Sequence, residues 1–275
     1  MEVVMFRHFF SRFLIITLGL TSSSFSAYDS PNIIGGVVVG ADDPDAVSTV
    51  AILTRGPDGV SLCSASLLAP DILITAAHCV TETFGESTSS QNLRVVFGKN
   101  LNTDTVIVRR VTGSKAHPSW KGLGSRGKDQ GDIAVVRFKD GLPDGYRPAK
   151  ILDPNVNLKR GSKTLLMGFG VDRLNESGGS GAGVLRKVDA KIDQPDFART
   201  EVLLDQRNGK GACYGDSGGP AFVRSTEGET LLWGVTNRGN PENERDCRHG
   251  SIYTRITSYT TFINATVKEL REHVH

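Results

Sequence analysis

The chain has 275 residues, of which 38% are hydrophobic and 23% charged, with a formal net charge of +2 and four cysteines. That near-neutral balance gives no argument for binding nucleic acid or an anionic membrane surface. The length allows one or two domains, and all-β folds of this size often form one.

Residues 1–27 read as a secretory signal. Arg7 and Arg12 give a positive start, Phe13–Leu20 is the apolar run, and Ser24-Phe25-Ser26-Ala27 offers a cleavage site. The apolar run falls well short of the ~20 residues that a membrane span requires, and no later stretch supplies them, so no membrane anchor is expected. Removing residues 1–32 takes away Arg7, Arg12, Glu2 and Asp29 and leaves the net charge unchanged. Export, extracellular or periplasmic in a bacterium, suits cysteines that pair as disulfides, though spacing alone does not select the pairing.

Next comes a series of short strand-like runs between turn residues. Val47–Leu53, Leu67–Thr75, Leu93–Phe97, Thr105–Val111 and Ile133–Phe138 fill the first half. Leu165–Gly168, Val184–Ile192, Glu201–Leu204, Pro220–Val223, Leu231–Thr236 and Ser251–Ile256 fill the second. Leu93, Val95 and Phe97 alternate with Arg94 and Val96, as a strand with one buried face requires. Gly141–Lys163, rich in Pro, Gly and Asp, reads as a linker. Helical periodicity is clear only at the end, where Tyr259, Phe262, Ile263, Thr266, Val267 and Leu270 share one face. The pattern alone gives an all-β fold with a C-terminal helix. The loops Thr81–Gln91, Lys121–Gln130 and Asn175–Gly183 are expected at the surface. Asn175-Glu176-Ser177 and Asn264-Ala265-Thr266 have the form of glycosylation acceptors, but Asn264 falls within the expected helix.

Three motifs carry chemistry. Gly215-Asp216-Ser217-Gly218-Gly219-Pro220 places a serine in a glycine-rich turn. A serine hydroxyl is a weak nucleophile until a base takes its proton, so the backbone around it must be tight and uncluttered. The same turn can aim the amides of Gly215 and Ser217 at one point as an oxyanion hole, where losing one donor costs about 10²–10³ in rate. Thr75-Ala76-Ala77-His78-Cys79 supplies a candidate general base, His78, worth about 10²–10⁴. Asp132-Ile133-Ala134-Val135 supplies a carboxylate that can hold the imidazole in one tautomer.

These motifs, in the order His, Asp, Ser, resemble the trypsin/chymotrypsin family of serine peptidases. The resemblance runs from Ile33 to the C-terminal helix. It implies two antiparallel Greek-key β-barrels, at about 33–145 and about 160–256, and a C-terminal α-helix at about 257–272. His78 and Asp132 then come from the first barrel and Ser217 from the second, with the site in the cleft between them. It also selects the disulfides Cys63–Cys79 and Cys213–Cys247, each contributing roughly 3–4 kcal/mol by loop closure. Residues 28–32 become a short propeptide, whose removal frees an Ile33 ammonium to pair with Asp216. Asn32 departs from the Arg or Lys usual before that cut. An activating protease without trypsin specificity, or a different trimming of the tail, is therefore expected.

The resemblance puts Gly211 at the base of the substrate pocket, with Ala212 beside it and Tyr214 at the entrance. This uncharged base argues for apolar or small side chains rather than Arg or Lys, since an unpaired buried cation is costly. Aligning Gly234 with the glycine before the family's Ser-Trp-Gly edge puts Asn237, Arg238 and Gly239 on the substrate-binding strand. The rival alignment uses Trp233-Gly234 directly and leaves a longer run to Cys247. Arg238 in place of the family's Trp can favour acidic groups on the substrate or simply be solvated. Ser251 forms the other wall. No cofactor or metal is expected, because Cys63 and Cys79 lack zinc spacing and the loop from Lys99 lacks calcium ligands. His117, Asp129, His249 and His273 are expected in structural or surface roles. The expected partners are protein or peptide substrates, the activating protease and protein inhibitors, with the chain a monomer. The resulting function is a secreted serine endopeptidase; an esterase is a rival reading within enzymes, since the same site would act on activated esters. The alternative is a non-catalytic homologue that uses the protease fold as a binding surface.

Overall fold

The structure, a computed structural model, describes residues 33–57, 59–82, 85–122, 127–174, 179–240 and 247–272. The expected signal and propeptide, the Asn175 acceptor sequence and His273 lie outside those residues.

After a short strand β1 (Val37–Val38) come β2 (Thr49–Gly56), β3 (Gly59–Ala69), β4 (Ile72–Thr75), β5 (Leu93–Phe97), β6 (Ile107–Ala116) and β7 (Ala134–Phe138). β2 to β7 close into an antiparallel barrel in the order β2-β3-β4-β7-β6-β5. The second half contains β8 (Lys150–Ile151), β9 (Lys163–Gly168), β10 (Arg186–Gln194), β11 (Glu201–Asp205), β12 (Pro220–Arg224), β13 (Thr230–Gly239) and β14 (Gly250–Arg255). Here β9-β10-β11-β14-β13-β12 run in order, and β12 pairs back onto β9, so a second ring closes. One helix, α1 (Thr260–Glu272), follows. The fold is all-β in two barrels with a C-terminal helix, as the sequence led one to expect.

Four local expectations change. Leu67–Thr75 is not one strand but the end of β3, a turn at Pro70-Asp71, and β4. Proline has no N–H to donate to a ladder, and it favours the turn. The first part of β3 was not legible because Ser61, Ser64, Ala65 and Ser66 carry little strand signal. Pairing with β2 over its whole length overrides that weak propensity. β1 lies in the stretch assigned to the first barrel but pairs with β10 of the second, Val37 opposite Lys187. The linker carries β8, which pairs in parallel with β13. The last element opens as a 3₁₀ turn over Ile256–Tyr259, so the α-helix starts at Thr260 rather than 257.

Inward-facing Leu67, Leu73, Val95, Phe97, Val135 and Phe138 belong to one buried cluster. Each large side chain so buried contributes about 1.5–3 kcal/mol. Val96, expected outward beside Arg94, is buried in the same cluster. Along α1, Phe262, Ile263, Val267 and Leu270 pack against that core, and Arg137 of β7 donates to the Leu270 carbonyl at 2.9 Å. Gly113 in β6 makes room for this face, since a Cβ there would lie 2.9 Å from Leu270 Cδ2. His117 is wedged between Tyr259 and Phe262, with ring centroids 4.8 Å from each.

Candidate active site

Strand pairing brings the first two groups together. β4 and β7 are neighbours, with Thr75 opposite Ala134. The chain leaves β4 into a short 3₁₀ turn, Ala77–Cys79, and enters β7 just after Asp132. His78 and Asp132 therefore meet at one end of the same strand pair. The Cys63–Cys79 disulfide ties the turn to β3. Asp132 is 1% exposed and faces His78 with both oxygens: Oδ1 accepts the His78 backbone N–H at 3.0 Å, and Oδ2 lies 2.8 Å from Nδ1. A carboxylate only accepts, so Nδ1 carries the proton and Nε2 is left as the free base. Burial lowers the His78 pKa, but the charge of Asp132 and its hydrogen bond outweigh burial, and the net shift is upward from 6.5. The second barrel closes over Asp132 from behind. Thr254 Oγ1 donates to the Asp132 carbonyl at 3.0 Å, and Asn237 Nδ2 donates to Thr254 Oγ1 at 3.1 Å.

The Ser217 turn is held by glycines and by the opposite barrel. At Gly215 (φ 93°) a Cβ would fall 2.9 Å from Gly170 Cα, and at Gly218 (φ 78°) it would fall 2.0 Å from Thr75 Oγ1. Ser64 of β3, fully buried, reaches across from the first barrel. Its amide donates to the Ser217 carbonyl at 2.8 Å, and its hydroxyl donates to the Gly215 carbonyl and accepts from Phe169 N, both at 3.0 Å. Among the described residues, the amides of Gly215 and Ser217 donate to nothing in the protein. Ser217 lines a cavity of about 370 Å³ together with His78 and Asp132. No hydrogen bond joins His78 to Ser217; such bonds often tighten only with substrate present.

Asp216 points the other way. It is 1% exposed, its Oδ1 accepts from Gly170 N at 2.9 Å, and its Oδ2 accepts from Cys213 N at 2.8 Å. Gly168 and Gly170 make room for it, since a Cβ at either would lie 2.2 or 2.5 Å from its carboxyl atoms. No ion pair engages it among the described residues. Burial drives its pKa up, the two amides and the charge of Arg186 pull it down, and it stands at about 7 against the usual 3.8. Ile33 is buried in the same second-barrel cluster as Ala212, and Ile34 pairs with Gly211, whose amide donates to the Ile34 carbonyl at 2.9 Å.

Of the residues assigned to the pocket, Ala212, Tyr214, Asn237, Arg238, Gly239 and Ser251 line the cavity. Gly211 does not. It packs instead against the buried Gln206, whose Cγ and Cδ would lie 2.2 Å from a Cβ at residue 211. Trp233, the anchor of the rival alignment, is 1% exposed and donates its indole N–H to Thr164 Oγ1 at 2.9 Å. It is a core residue, whereas Asn237, Arg238 and Gly239 line the cavity. Neither expectation for Arg238 holds. Its guanidinium is bound bidentately by the buried Glu201 at 2.9 and 2.8 Å and donates to the Gly127 carbonyl at 3.1 Å. It is thus neither free to select acidic groups nor simply solvated; it bolts a first-barrel loop to β11. Asp129 does the same work nearby, accepting from Thr200 N and Oγ1, both at 2.6 Å.

Ser64, Glu201 and Gln206 escaped sequence reasoning. Glu201 left a signal, because a carboxylate opening the apolar run Val202-Leu203-Leu204 requires a partner when buried. Ser64 and Gln206 left none. Ligand atoms of Cys63, His78 and Cys79 lie within 4.8 Å of one another, but the two sulfurs are joined to each other and offer no thiolate.

Two barrels facing each other across a cleft that holds Ser217 and a His78–Asp132 pair define a serine peptidase of the chymotrypsin type. The trypsin family model matches residues 37–263, and the chain belongs to the trypsin family. A venom serine protease of Polistes dominula is 29% identical over 227 residues, covering 75% of this chain and 76% of the relative. A trypsin of Squalus acanthias is 25% identical over 216 residues, covering 74% and 85%. A chymotrypsin-C of Bos taurus is 25% identical over 226 residues, covering 74% and 76%. Membership makes the chain a serine endopeptidase, a hydrolase.

Proposed function

We propose that this endopeptidase is secreted, that its catalytic groups are Ser217, His78 and Asp132, and that it acquires activity when the chain is cut before Ile33. Ser217 Oγ attacks the peptide carbonyl while His78 Nε2 takes its proton. The imidazolium gives that proton to the leaving amine, and the C–N bond breaks to leave an acyl-enzyme. Water then attacks the ester, again with His78 as base, and Ser217 is released with its proton restored. Asp132 orients the ring and stabilises the imidazolium. The Gly215 and Ser217 amides receive the oxyanion. The observation that carries this reading is the buried Asp132 engaging both His78 N–H groups, in one cavity with Ser217 and two unbonded amides.

Asp216 supports the activation step. A buried carboxylate held only by amides is a poor anion, and a free Ile33 ammonium is the counter-ion it lacks. Asn32 points to an activator without trypsin specificity. Among the described residues that line the cavity, the one carboxylate is Asp132, already engaged by His78, which favours cleavage after neutral side chains. Protein or peptide substrates and protein inhibitors are the partners. The test is labelling by a fluorophosphonate probe together with hydrolysis of a casein substrate. The mature form reacts in both and a Ser217→Ala variant in neither. A mature form that begins at Ile33 and stays inert in both overturns the reading.

A further inference from the structure

The loop that leads the chain into Asp132 belongs to the first barrel and is gripped by the second. Glu201 opens β11 and is 1% exposed. Its Oε1 accepts from Arg238 Nη1 at 2.9 Å and from the Gln130 backbone N–H at 3.3 Å, and its Oε2 accepts from Arg238 Nη2 at 2.8 Å. Arg238 Nη2 also donates to the Gly127 carbonyl at 3.1 Å. One ion pair of the second barrel thus holds a carbonyl and an amide of the loop, the amide two positions before Asp132. Two contacts extend the grip. Asp129, whose φ of 55° is one that non-glycine residues seldom adopt, accepts from Thr200 N and Oγ1, both at 2.6 Å. Lys128 Nζ donates to the Phe197 carbonyl at 2.8 Å and lies 4.3 Å from the centre of the Phe197 ring. Thr254, which donates to the Asp132 carbonyl, stands directly opposite Glu201 in the β11–β14 ladder, and Asn237, which donates to Thr254, is the chain neighbour of Arg238.

We propose that Glu201 and Arg238 are positioning residues for the reaction: clamped onto the loop 127–130, they set where Asp132, and through it His78, stands relative to Ser217. This rests on the reading of His78, Asp132 and Ser217 as the catalytic groups. The problem the clamp solves is geometric. Two of those groups come from one barrel and the third from the other, and proton transfer requires His78 within hydrogen-bond reach of Ser217. Ser64 of the first barrel braces the Ser217 turn. The Glu201–Arg238 pair is the reciprocal brace, from the second barrel to the Asp132 loop. A misplacement of about 1 Å costs about 10²-fold in rate. Stability alone does not account for the pair, because apolar side chains of similar volume are often as stabilising as a buried ion pair, or more so. An apolar pair cannot hold the Gly127 carbonyl and the Gln130 amide. Arg238 also lines the cavity, so the same clamp ties a wall of the cleft to the Asp132 loop.

The experiment uses the full mature chain beginning at Ile33 and a peptide that the wild type cleaves out of casein. Glu201→Met combined with Arg238→Leu removes both charges together and leaves neither unpaired. It is expected to melt at the wild-type temperature or above, while kcat falls about 10²-fold and KM changes by less than about three-fold. The pKa in its pH–rate profile is expected to fall, because the charge and hydrogen bond of Asp132 are what raise the pKa of His78. Asp129→Gly keeps the positive φ and removes only the contacts to Thr200, and kcat is expected to fall by about ten-fold with KM held. A folded double variant with wild-type kcat overturns the proposal. A loss seen in KM alone, or a fall in kcat with the pH profile unmoved, overturns it too, since Asp132 has then kept its place. Where the double variant does not fold, Asp129→Gly decides, and a wild-type kcat there overturns the clamp. Fluorophosphonate labelling of the wild-type sample separates the two levels. An unlabelled, inert wild type overturns the catalytic reading and the clamp with it, and a labelled, active wild type with an indifferent double variant overturns the clamp alone.

Discussion

Asp132 and Asp216 are each 1% exposed, and the fold treats them in opposite ways. Asp132 faces His78 with both oxygens, one on its backbone N–H and one on its imidazole, and the second barrel supports it through Thr254. Burial drives the Asp216 pKa up to about 7, because among the described residues only two backbone amides and the more distant charge of Arg186 oppose it. Equal burial therefore does not mean equal electrostatics; the partner decides. The partner of Asp132 is built into the chain and present as soon as the barrels form. The partner proposed for Asp216 is an ammonium that exists only after a peptide bond is broken. On this proposal, one half of the site is complete on folding and the other waits.

The largest effect is expected at Asp132. Asp132→Asn leaves the packing in place but no longer holds the imidazole in the right tautomer. It is expected to lower kcat of the mature enzyme by about 10⁴-fold. Steady-state hydrolysis measures the loss, and unchanged thermal melting shows that the fold is intact.

At the unfinished end, the precursor carries a pH-dependent cost. The folded pKa of Asp216 lies above its ordinary value, so its contribution is favourable below 3.8 and is lost as pH rises through about 7. By linkage the precursor loses on the order of 4 kcal/mol across that window. The form beginning at Ile33, with its ammonium in place, loses much less. Urea melts of both forms between pH 4 and 8 measure the difference, and parallel curves count against the contrast. Asp216→Asn should cross the two effects. It stabilises the precursor above pH 7 yet costs the mature form the pair, about 3–5 kcal/mol, read as slower fluorophosphonate labelling.

Smaller effects sharpen the picture. Ser64→Ala strips Gly215 O and Phe169 N of their shared hydroxyl and is expected to cost about 1–3 kcal/mol of stability, with kcat falling more than KM rises. His78 has its pKa raised above 6.5, and the neutral imidazole is the active form. Activity should therefore climb through a pKa above 6.5 as pH increases, and a pH–rate profile of kcat/KM locates it.

Much of the fold was legible because barrel strands announce themselves by alternation, as Leu93, Val95 and Phe97 do. What was missed follows physical lines. β3 is rich in Ser and Ala and becomes a strand through its neighbours, and β1 and β8 are too short to carry a pattern. The residues proposed as catalytic were legible because their chemistry demands fixed types in tight local motifs. The groups that support them were not. Ser64, Glu201 and Gln206 act across 151, 37 and 41 positions of sequence, and no local spacing encodes such contacts. Arg238 shows the converse error: a charge read alone in a sequence suggests a free group, while the fold supplies its counter-ion.

The most direct test of the Asp216 switch is fluorophosphonate labelling of Ser217 in the precursor and in the form beginning at Ile33, with the N-terminus of each sequenced from the same sample. Fast labelling of the cut form and little or none of the precursor is the expected result. Equal labelling of an intact chain that still carries Asn32 would show that Asp216 needs no new ammonium, and the contrast between the two carboxylates would fall.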